Sequence, residues 1–515
     1  MKKVILLAAI LLSTSLICGA KLFEPTVVQS TSYIYPDQFS GLTLDQAIHS
    51  EKVNDGDTIV VRESITPYYE HLNISKSITL EGGLGLQGST VIDGAGNGTV
   101  VTISAPNVKL IGFTIQNGAA GIIISYADNN ILKNNRVISN IFGIGIIVSG
   151  NNILINNTLS GNRMSFGVTG MVLDKSVRWL QYFIQDVNVS NTINGRPIYY
   201  YVNKNGETIP ANAGYVAVVN STNVTVENAN INNNDQGILL AYTTNSTIAN
   251  SNLSQNPLGI HLVSSDNNEI RNNNVTARDV GLWFRHSDNN TIICNDIKKA
   301  NPVGWGVFFE NSSDNILYRN NFAENDNPLG GGASENYLNN SREGNYWDTY
   351  AGADSNGDGI GDTMIPYLGV DYHPLMAPWK INRTLSVTRY SSECCFTTLS
   401  NSTLASANWN RDLRRIGFNL TSGTAESINI TMPRDWLDGP FEIRLNATQL
   451  EPSSFSVNQN SANSYIFLDY APGTYMVEII GARVLGYRNG DINGDGFVDI
   501  FDAILLAGNF GKSDK

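Results

Sequence analysis

The sequence predicts an all-β chain: a parallel β-helix, then a β-sandwich, then a short EF-type loop and helix. Three observations carry this. Asparagine anchors recur at Asn107, Asn130 and Asn152, and again at Asn223, Asn245, Asn268, Asn290 and Asn315, with steps mostly of 22 or 23 residues. Ahead of most anchors stands a glycine and an alternating apolar run, as in GIIISYADNN, GIHLVSSDNN, GLWFRHSDNN and GVFFENSSDN. After about residue 380 the recurrence ends, and alternating strands separated by Pro, Gly and Ser turns take over.

In chain order, MKKVILLAAILLSTSLICGA has two lysines, an apolar stretch and small residues ending at Ala20, the layout of a secretory signal peptide over 1–20. A lipid anchor on Cys18 is the alternative, against which bulky Ile17 stands where a small residue is usual. No later run is long and apolar enough to span a bilayer. Sequons such as Asn73, Asn188, Asn382, Asn419 and Asn446 become acceptors only where they are exposed in an exported chain. Cys294 has no evident partner, and the adjacent Cys394 and Cys395 are assigned no chemistry. The formal net charge of −13 disfavours nucleic acid and anionic membranes as partners and suits cations or neutral polymers.

Residues 21–380 form the predicted β-helix. A short amphipathic helix at Leu44 to His49 is expected to cap its first coil, since an open end would expose strand edges and core. Within the coils a period of two means strands, and three short strands per repeat make one coil. Ile122 and Ile124, Ile260 and Leu262, Leu282 and Phe284, and Val307 and Phe309 are the inward set. Asn130, Asn152, Asn268 and Asn290 are expected to stack at a turn, where an amide can satisfy the backbone of the next coil.

The cap, followed by STVIDGAGNGTVVTISAPNVKLIGFTIQN and the coils, resembles the NosD family of exported right-handed β-helix proteins. These belong to the wider set of carbohydrate-binding and sugar-hydrolase β-helices with the pectin-lyase-like solenoid. The resemblance covers roughly residues 40 to 380 and is specific for fold rather than function. It implies an association with copper delivery, but His49, His71, His261, His286 and His373 fall in no metal-ligand spacing.

Two places are candidates for ligand binding. Between about 163 and 222 the period lapses into an aromatic-rich stretch holding Trp179, Tyr199 and Tyr201, read as an insertion. On the outer face of one strand stack, Leu239, His261, Trp283 and Phe308 form one row, and Arg285 and Glu310 belong to the next. Aromatic rings beside charged groups suit sugar rings and their hydroxyls. Asp266, Asp288 and Asp314 recur as turn residues, so no carboxylate pair stands out for catalysis.

Two acidic loops point to calcium. In 354–365, Asp354, Asn356, Asp358, the Ile360 carbonyl and Asp362 match the first nine positions of an EF-type loop. After the expected sandwich at 381–482, the segment 488–515 holds DINGDGFVDIFD. There Asp491, Asn493, Asp495, the Phe497 carbonyl, Asp499 and Asp502 fill positions 1, 3, 5, 7, 9 and 12. Loop and exiting helix resemble one dockerin type I repeat. The resemblance implies a cohesin-like partner or self-association. The leading expectation is an exported or cell-surface, calcium-stabilised β-helix that binds polysaccharide or glycan. A polysaccharide hydrolase or lyase, and a structural surface-layer or adhesion protein, are the alternatives.

Overall fold

A computed structural model describes residues 30–483 except 84–89, 300–303, 326, 380, 390–391, 401, 411–413, 423–425, 434–436 and 460–462. The expected signal peptide at 1–20 and the 491–502 loop lie outside the described residues.

The chain is an all-β solenoid of parallel coils followed by two antiparallel sheets. The α-helix Leu44–His49 opens it. Thr43 and Gln46 form a reciprocal capping box, and Leu44, Ala47 and Ile48 are fully buried against the first coil. Successive coils then pair in register. Val101, Ile122, Ile144 and Phe166 make one inward file, and Ile238, Ile260, Leu282 and Val307 make another further on. All eight of these side chains have no accessible surface. Period-two sequence thus becomes a stacked apolar core.

The asparagines divide two tasks between neighbours. Asn129, Asn151, Asn267 and Asn289 take the left-handed backbone that turns the chain. The following Asn130, Asn152, Asn268 and Asn290 are buried and point along the axis, each carbonyl oxygen accepting from the preceding coil, as when Asn130 N donates to Asn152 Oδ1 at 3.0 Å. The helical stack carries further ladders, through Asn135, Asn157 and Asn191 and through Asn273, Asn295, Asn320 and Asn345.

Residues 163–222, read in the sequence as an insertion, hold the joint between two solenoids. Thr192–Ile193 is the last strand of its sheet to run with the first solenoid. It pairs antiparallel with Arg196–Val202 through Asn194 and Gly195, both with positive φ, the dipeptide of a type I′ hairpin. Arg196–Val202 then pairs parallel with Tyr215–Val219, and a second solenoid grows from it. The sheet continues while the chain direction reverses, so the core changes sides. Ile198 and Tyr200 face the first core; Tyr199 and Tyr201 pack on the second.

The lateral face of the second solenoid consequently closes the end of the first. Tyr215, Ala217, Val219, Leu239, Ala241 and Val263 point out of the second core and into the first. The end strand Met164–Thr169 meets the second solenoid edge-on: Ser165 N donates to Asn233 O at 2.7 Å, and Asp235 N to Phe166 O at 3.0 Å. Burial on both faces explains why YVAVV at 215–219 is apolar throughout.

Past residue 380 the strands Ile381–Arg389, Ser392–Ser400, Glu426–Pro433, Asn463–Tyr470 and Phe455–Gln459 form one sheet. Thr403–Asn410, Arg415–Ser422, Gly473–Arg483, Asp438–Leu445 and Thr448–Gln449 form the other. Phe418, Ile430, Ile443, Ile466, Val477 and Ile479 share their core.

Candidate functional site

The first three coils of the second solenoid lose much of their outer face to the first solenoid, and the next two project past it. At that corner the strands Asn252–Val263, Asn274–Arg285 and Trp305–Glu310 present the outward row His261, Trp283 and Phe308, paired in register. His261 is only 5% exposed and stacks under Trp283, with ring centroids 4.8 Å apart. Burial, aided by Arg285, pushes its pKa down to about 3, so the ring is neutral. It supports Trp283 and does not reach solvent as a charged group.

Trp283, Phe308 and Trp305 are each partly exposed and form one aromatic platform. Trp283 meets Phe308 edge-on at 6.3 Å, and Trp305 meets Phe308 at 5.5 Å. Gly330 in the next coil makes room for them, because a Cβ there would lie 2.4 Å from the Trp305 ring and 2.8 Å from Phe308. The Trp283 indole N–H is turned inward, shielded from solvent and without a hydrogen-bond partner among the described residues.

Charged groups frame the platform. Arg285 pairs with Glu310 (Nε to Oε1, 3.2 Å) and donates from Nη2 to the Val172 carbonyl at 2.9 Å, tying the second solenoid to the segment leaving the first. Lys175 on the same segment bridges Asp266 at 3.0 Å and Asp288 at 2.5 Å. Burial works against its ammonium, but the hydrogen bonds it donates to Asp288 and Asp266 prevail and raise its pKa. Those aspartates also serve the turn, since Asp288 N donates to Asp266 Oδ1 at 2.7 Å and Ser313 N to Asp288 Oδ1 at 2.8 Å.

At the opposite end of this face, just before the paired runs that begin at Gln236 and Val280, lie Asp235, Arg278 and Asp279. Burial, reinforced by Asp279 and opposed by Arg278, raises the Asp235 carboxyl to about 6. It packs over Gly167, where a Cβ would come within 2.5 Å of the Asp235 Cβ. These groups and Trp305 escaped the sequence reading. The signal was positional: two residues before the recurrent glycines Gly237, Gly259, Gly281 and Gly306 stand Asp235, Pro257, Asp279 and Gly304, so only two coils carry an acid there.

The other expected residues are not gathered here. Trp179 stacks on Tyr182 at 6.3 Å, donates to Asp174 Oδ1 at 3.0 Å and packs on the first core. Tyr199 and Tyr201, 6.2 Å apart, pack on the second core, across the sheet from it. In the 354–365 loop the carboxylates turn onto backbone amides: Asp354 accepts from Gly357 and Gly359, Asp358 from Ile360, and Asp362 from Ser355. Asn356 Oδ1 likewise accepts from Asp358 N. The amides of Gly359 and Gly357 hold the exposed Asp354 carboxyl below its ordinary pKa. Among the described residues no three His, Cys, Asp or Glu side chains are gathered as a metal would gather them.

Several solved structures are similar in fold. An alginate lyase from Paenibacillus sp. str. FPU-7 is 13% identical, covering 59% of this chain and 99% of that one, with a TM-score of 0.28. A GH136 lacto-N-biosidase from Eubacterium ramulus is 12% identical over 59% of this chain and 67% of its own, at 0.31. Pectate lyase Pel9A is 14% identical over 63% and 82%, at 0.26. At TM-scores this low they say nothing of what this chain binds. No curated protein matches it. The family model described as "Periplasmic copper-binding protein (NosD)" matches residues 38–199 and 180–352, which takes in the cap, both solenoids and the joint. That span is more than half of the chain, and the protein belongs to the NosD family.

Proposed function

We propose that this is an exported glycan-binding β-helix protein, with the platform of Trp283, Phe308 and Trp305 as its sugar-facing surface. The observation that carries this reading is the coincidence of three partly exposed aromatic side chains with the Arg285–Glu310 pair at a corner between the two solenoids. Apolar faces for stacking plus a few fixed polar groups are what a sugar site needs. Trp283→Ala and Trp305→Ala are expected to lower glycan retention in affinity electrophoresis about tenfold or more, with melting little changed. Unchanged retention by both variants would remove the platform from the reading.

Copper, named in the family's description, does not fit the donors among the described residues, where no three His, Cys, Asp or Glu side chains are gathered. His49 Nδ1 lies 2.8 Å from the Asp45 carbonyl and His71 Nδ1 2.9 Å from that of Thr99. His261 is sealed beneath Trp283, and burial raises the Cys294 thiol to about 11. Copper needs imidazole, thiolate or thioether ligands converging on one point.

Calcium suits the oxygen spacing of both acidic loops, and it is part of the proposal. A carboxylate oxygen that accepts a backbone N–H keeps a lone pair for a hard cation. Chelation is expected to lower the melting temperature of the unit that holds each loop, since the ion would bind only the folded loop. An unchanged melt together with no calcium by elemental analysis would defeat both loops.

A second reading, turnover of the bound polysaccharide, is favoured by Asp235 and Asp279. They hold the same repeat position two coils apart, roughly 9.6 Å along the axis. That is about the upper limit for paired carboxyls that invert a glycosidic bond. The Asp235 carboxyl, raised to about 6, has the proton a general acid needs. Oligosaccharide release that Asp279→Asn abolishes would establish turnover.

A further inference from the structure

Motifs of the form Asn-x-Ser/Thr run through both solenoids, and the stacked side chains sort them. N-glycosylation joins the amide nitrogen of such an asparagine to the anomeric carbon of a lipid-linked oligosaccharide. The new C–N bond forms as the bond from that carbon to the lipid phosphate oxygen breaks; the phosphate leaves with the bonding pair, and the amide gives up one proton. In a folded chain the asparagine must therefore be exposed, its nitrogen uncommitted to a neighbouring coil, and the hydroxyl two residues on must face out with it.

Most of the motifs fail one of these conditions. Asn156, Asn220 and Asn223 each donate their amide to an asparagine of the coil before, Asn134, Asn203 and Asn205, at 2.8, 2.6 and 3.1 Å. Asn252 donates to Asn230 at 3.3 Å, and the buried Asn274 to Asn252 at 2.9 Å. At Asn73, Asn188 and Asn311 the hydroxyl is the engaged group. Ser75 lies 3.2 Å from the His49 ring, Ser190 accepts from Asn156 N at 2.9 Å, and Ser313 donates to Asp314 at 3.3 Å.

Asn245 and Asn289 meet every condition. Both are exposed, on left-handed backbone at the same turn of coils that lie two apart. Asn245 Nδ2 reaches the Thr244 hydroxyl at 3.5 Å, the limit of a hydrogen bond, and no described group accepts from Asn289 Nδ2. Thr247 and Thr291 are partly exposed in one outward row, while Ser246 and Asn290 between them and their asparagines are buried. The turn itself needs only the left-handed asparagine. The residue two places on is Glu269 in the intervening coil and Ile316 in the row beyond, so threonine at 247 and 291 is not a demand of the fold.

We infer that Asn245 and Asn289 are N-glycosylated in the exported chain, by transfer from a lipid-linked oligosaccharide. This rests on the export half of the function proposed above and adds a modification to it. Roughly 9.6 Å separates the two sites along the axis, and Glu269 leaves the coil between them without a site, so two sugar chains stand on the row uncrowded. No such motif falls within 257–263, 279–285 or 304–310, the stretches that carry the aromatic platform. The sugars occupy a different sheet of the same solenoid and leave the platform open to ligand.

The test is peptide mass spectrometry of the full chain recovered outside the cells that make it, alongside Thr291→Val and Asn289→Gln made in the same cells. Glycan is expected on the peptides holding Asn245 and Asn289 and is absent from those holding Asn223, Asn252 and Asn274. Thr291→Val keeps Asn289 and the branched side-chain shape without the hydroxyl; it loses the sugar from Asn289 alone, as Asn289→Gln does, and matched melting curves show that both variants are folded. An exported chain with bare Asn245 and Asn289, sugar kept on Asn289 in Thr291→Val, or equal modification of Asn223, Asn252 and Asn274 overturns the inference and leaves export intact. A chain kept inside the cell with residues 1–20 attached overturns it together with the export reading.

Discussion

Replacing Asn290 with alanine is expected to destabilise the second solenoid by about 3–5 kcal/mol, because two buried donors lose their acceptor and the acceptors of its own amide lose their donor. The Asn290 carbonyl oxygen accepts from Asn268 N at 2.8 Å and from Asn268 Nδ2 at 3.1 Å. Its own amide donates to Ser265 O at 3.0 Å and to Asn315 Oδ1 at 2.9 Å. Alanine offers none of these, and the residue has no exposed surface through which water could substitute. The neighbouring Asn289, exposed and with φ of 57°, provides the control. Asn289→Ala forfeits only the tolerance for left-handed backbone, about 1 kcal/mol. Urea melts followed by circular dichroism and by tryptophan fluorescence would measure both, two probes being needed because stacked coils can unfold in parts. Equal losses for the two variants would mean that the amide ladder is not what holds the coils together.

Asp235→Asn is expected to do the opposite, stabilising the chain by about 2 kcal/mol above pH 6. The ordinary value of 3.8 applies to the unfolded chain, and burial raises the folded value to about 6. Between those values the folded state binds the proton and the unfolded state does not. Stability contributed by this group is therefore full below about pH 4 and is lost as pH rises through about 6. Asparagine never ionises and still accepts from Gln236 Nε2, which donates to Asp235 Oδ2 at 2.8 Å. The gain in melting temperature should be present at pH 7.5, smaller at pH 5 and absent at pH 3.5. A gain that is the same at all three would rule out the carboxyl's charge as the cause. An acid kept at such a cost next to Arg278 is what a working site would retain.

The coils were legible because each repeats the last. A buried file such as Ile260, Leu282 and Val307 is written as alternation within one coil and recurrence in the next, and both can be counted. The capped helix at Leu44–His49 was legible for a similar reason, its signals lying within a few residues of one another. The joint was half legible. Asn194-Gly195 between apolar runs is the hairpin dipeptide, but nothing local in the sequence told that Tyr199, Tyr200 and Tyr201 would be shared between two cores.

The outward row shows the same division. Alternation placed Leu239, His261, Trp283 and Phe308 on one outward face, and the register agrees. It gave no means of telling that Leu239 and His261 would be covered while Trp283 and Phe308 stayed partly open.

What the sequence by itself determined is the solenoid, its register and its asparagine ladders, since these depend on contacts between adjacent coils and are stated again in every repeat. Only the tertiary structure decided which outer positions remain a surface. That depends on one reversal of chain direction at Asn194-Gly195, which moves the core to the other side of a continuous sheet and lays one solenoid's flank across the other's end. The contacts it creates, Phe166 against Tyr215 and Ser165 N on the Asn233 carbonyl, join residues far apart in the chain. They occur once, and a contact that occurs once leaves no period to read.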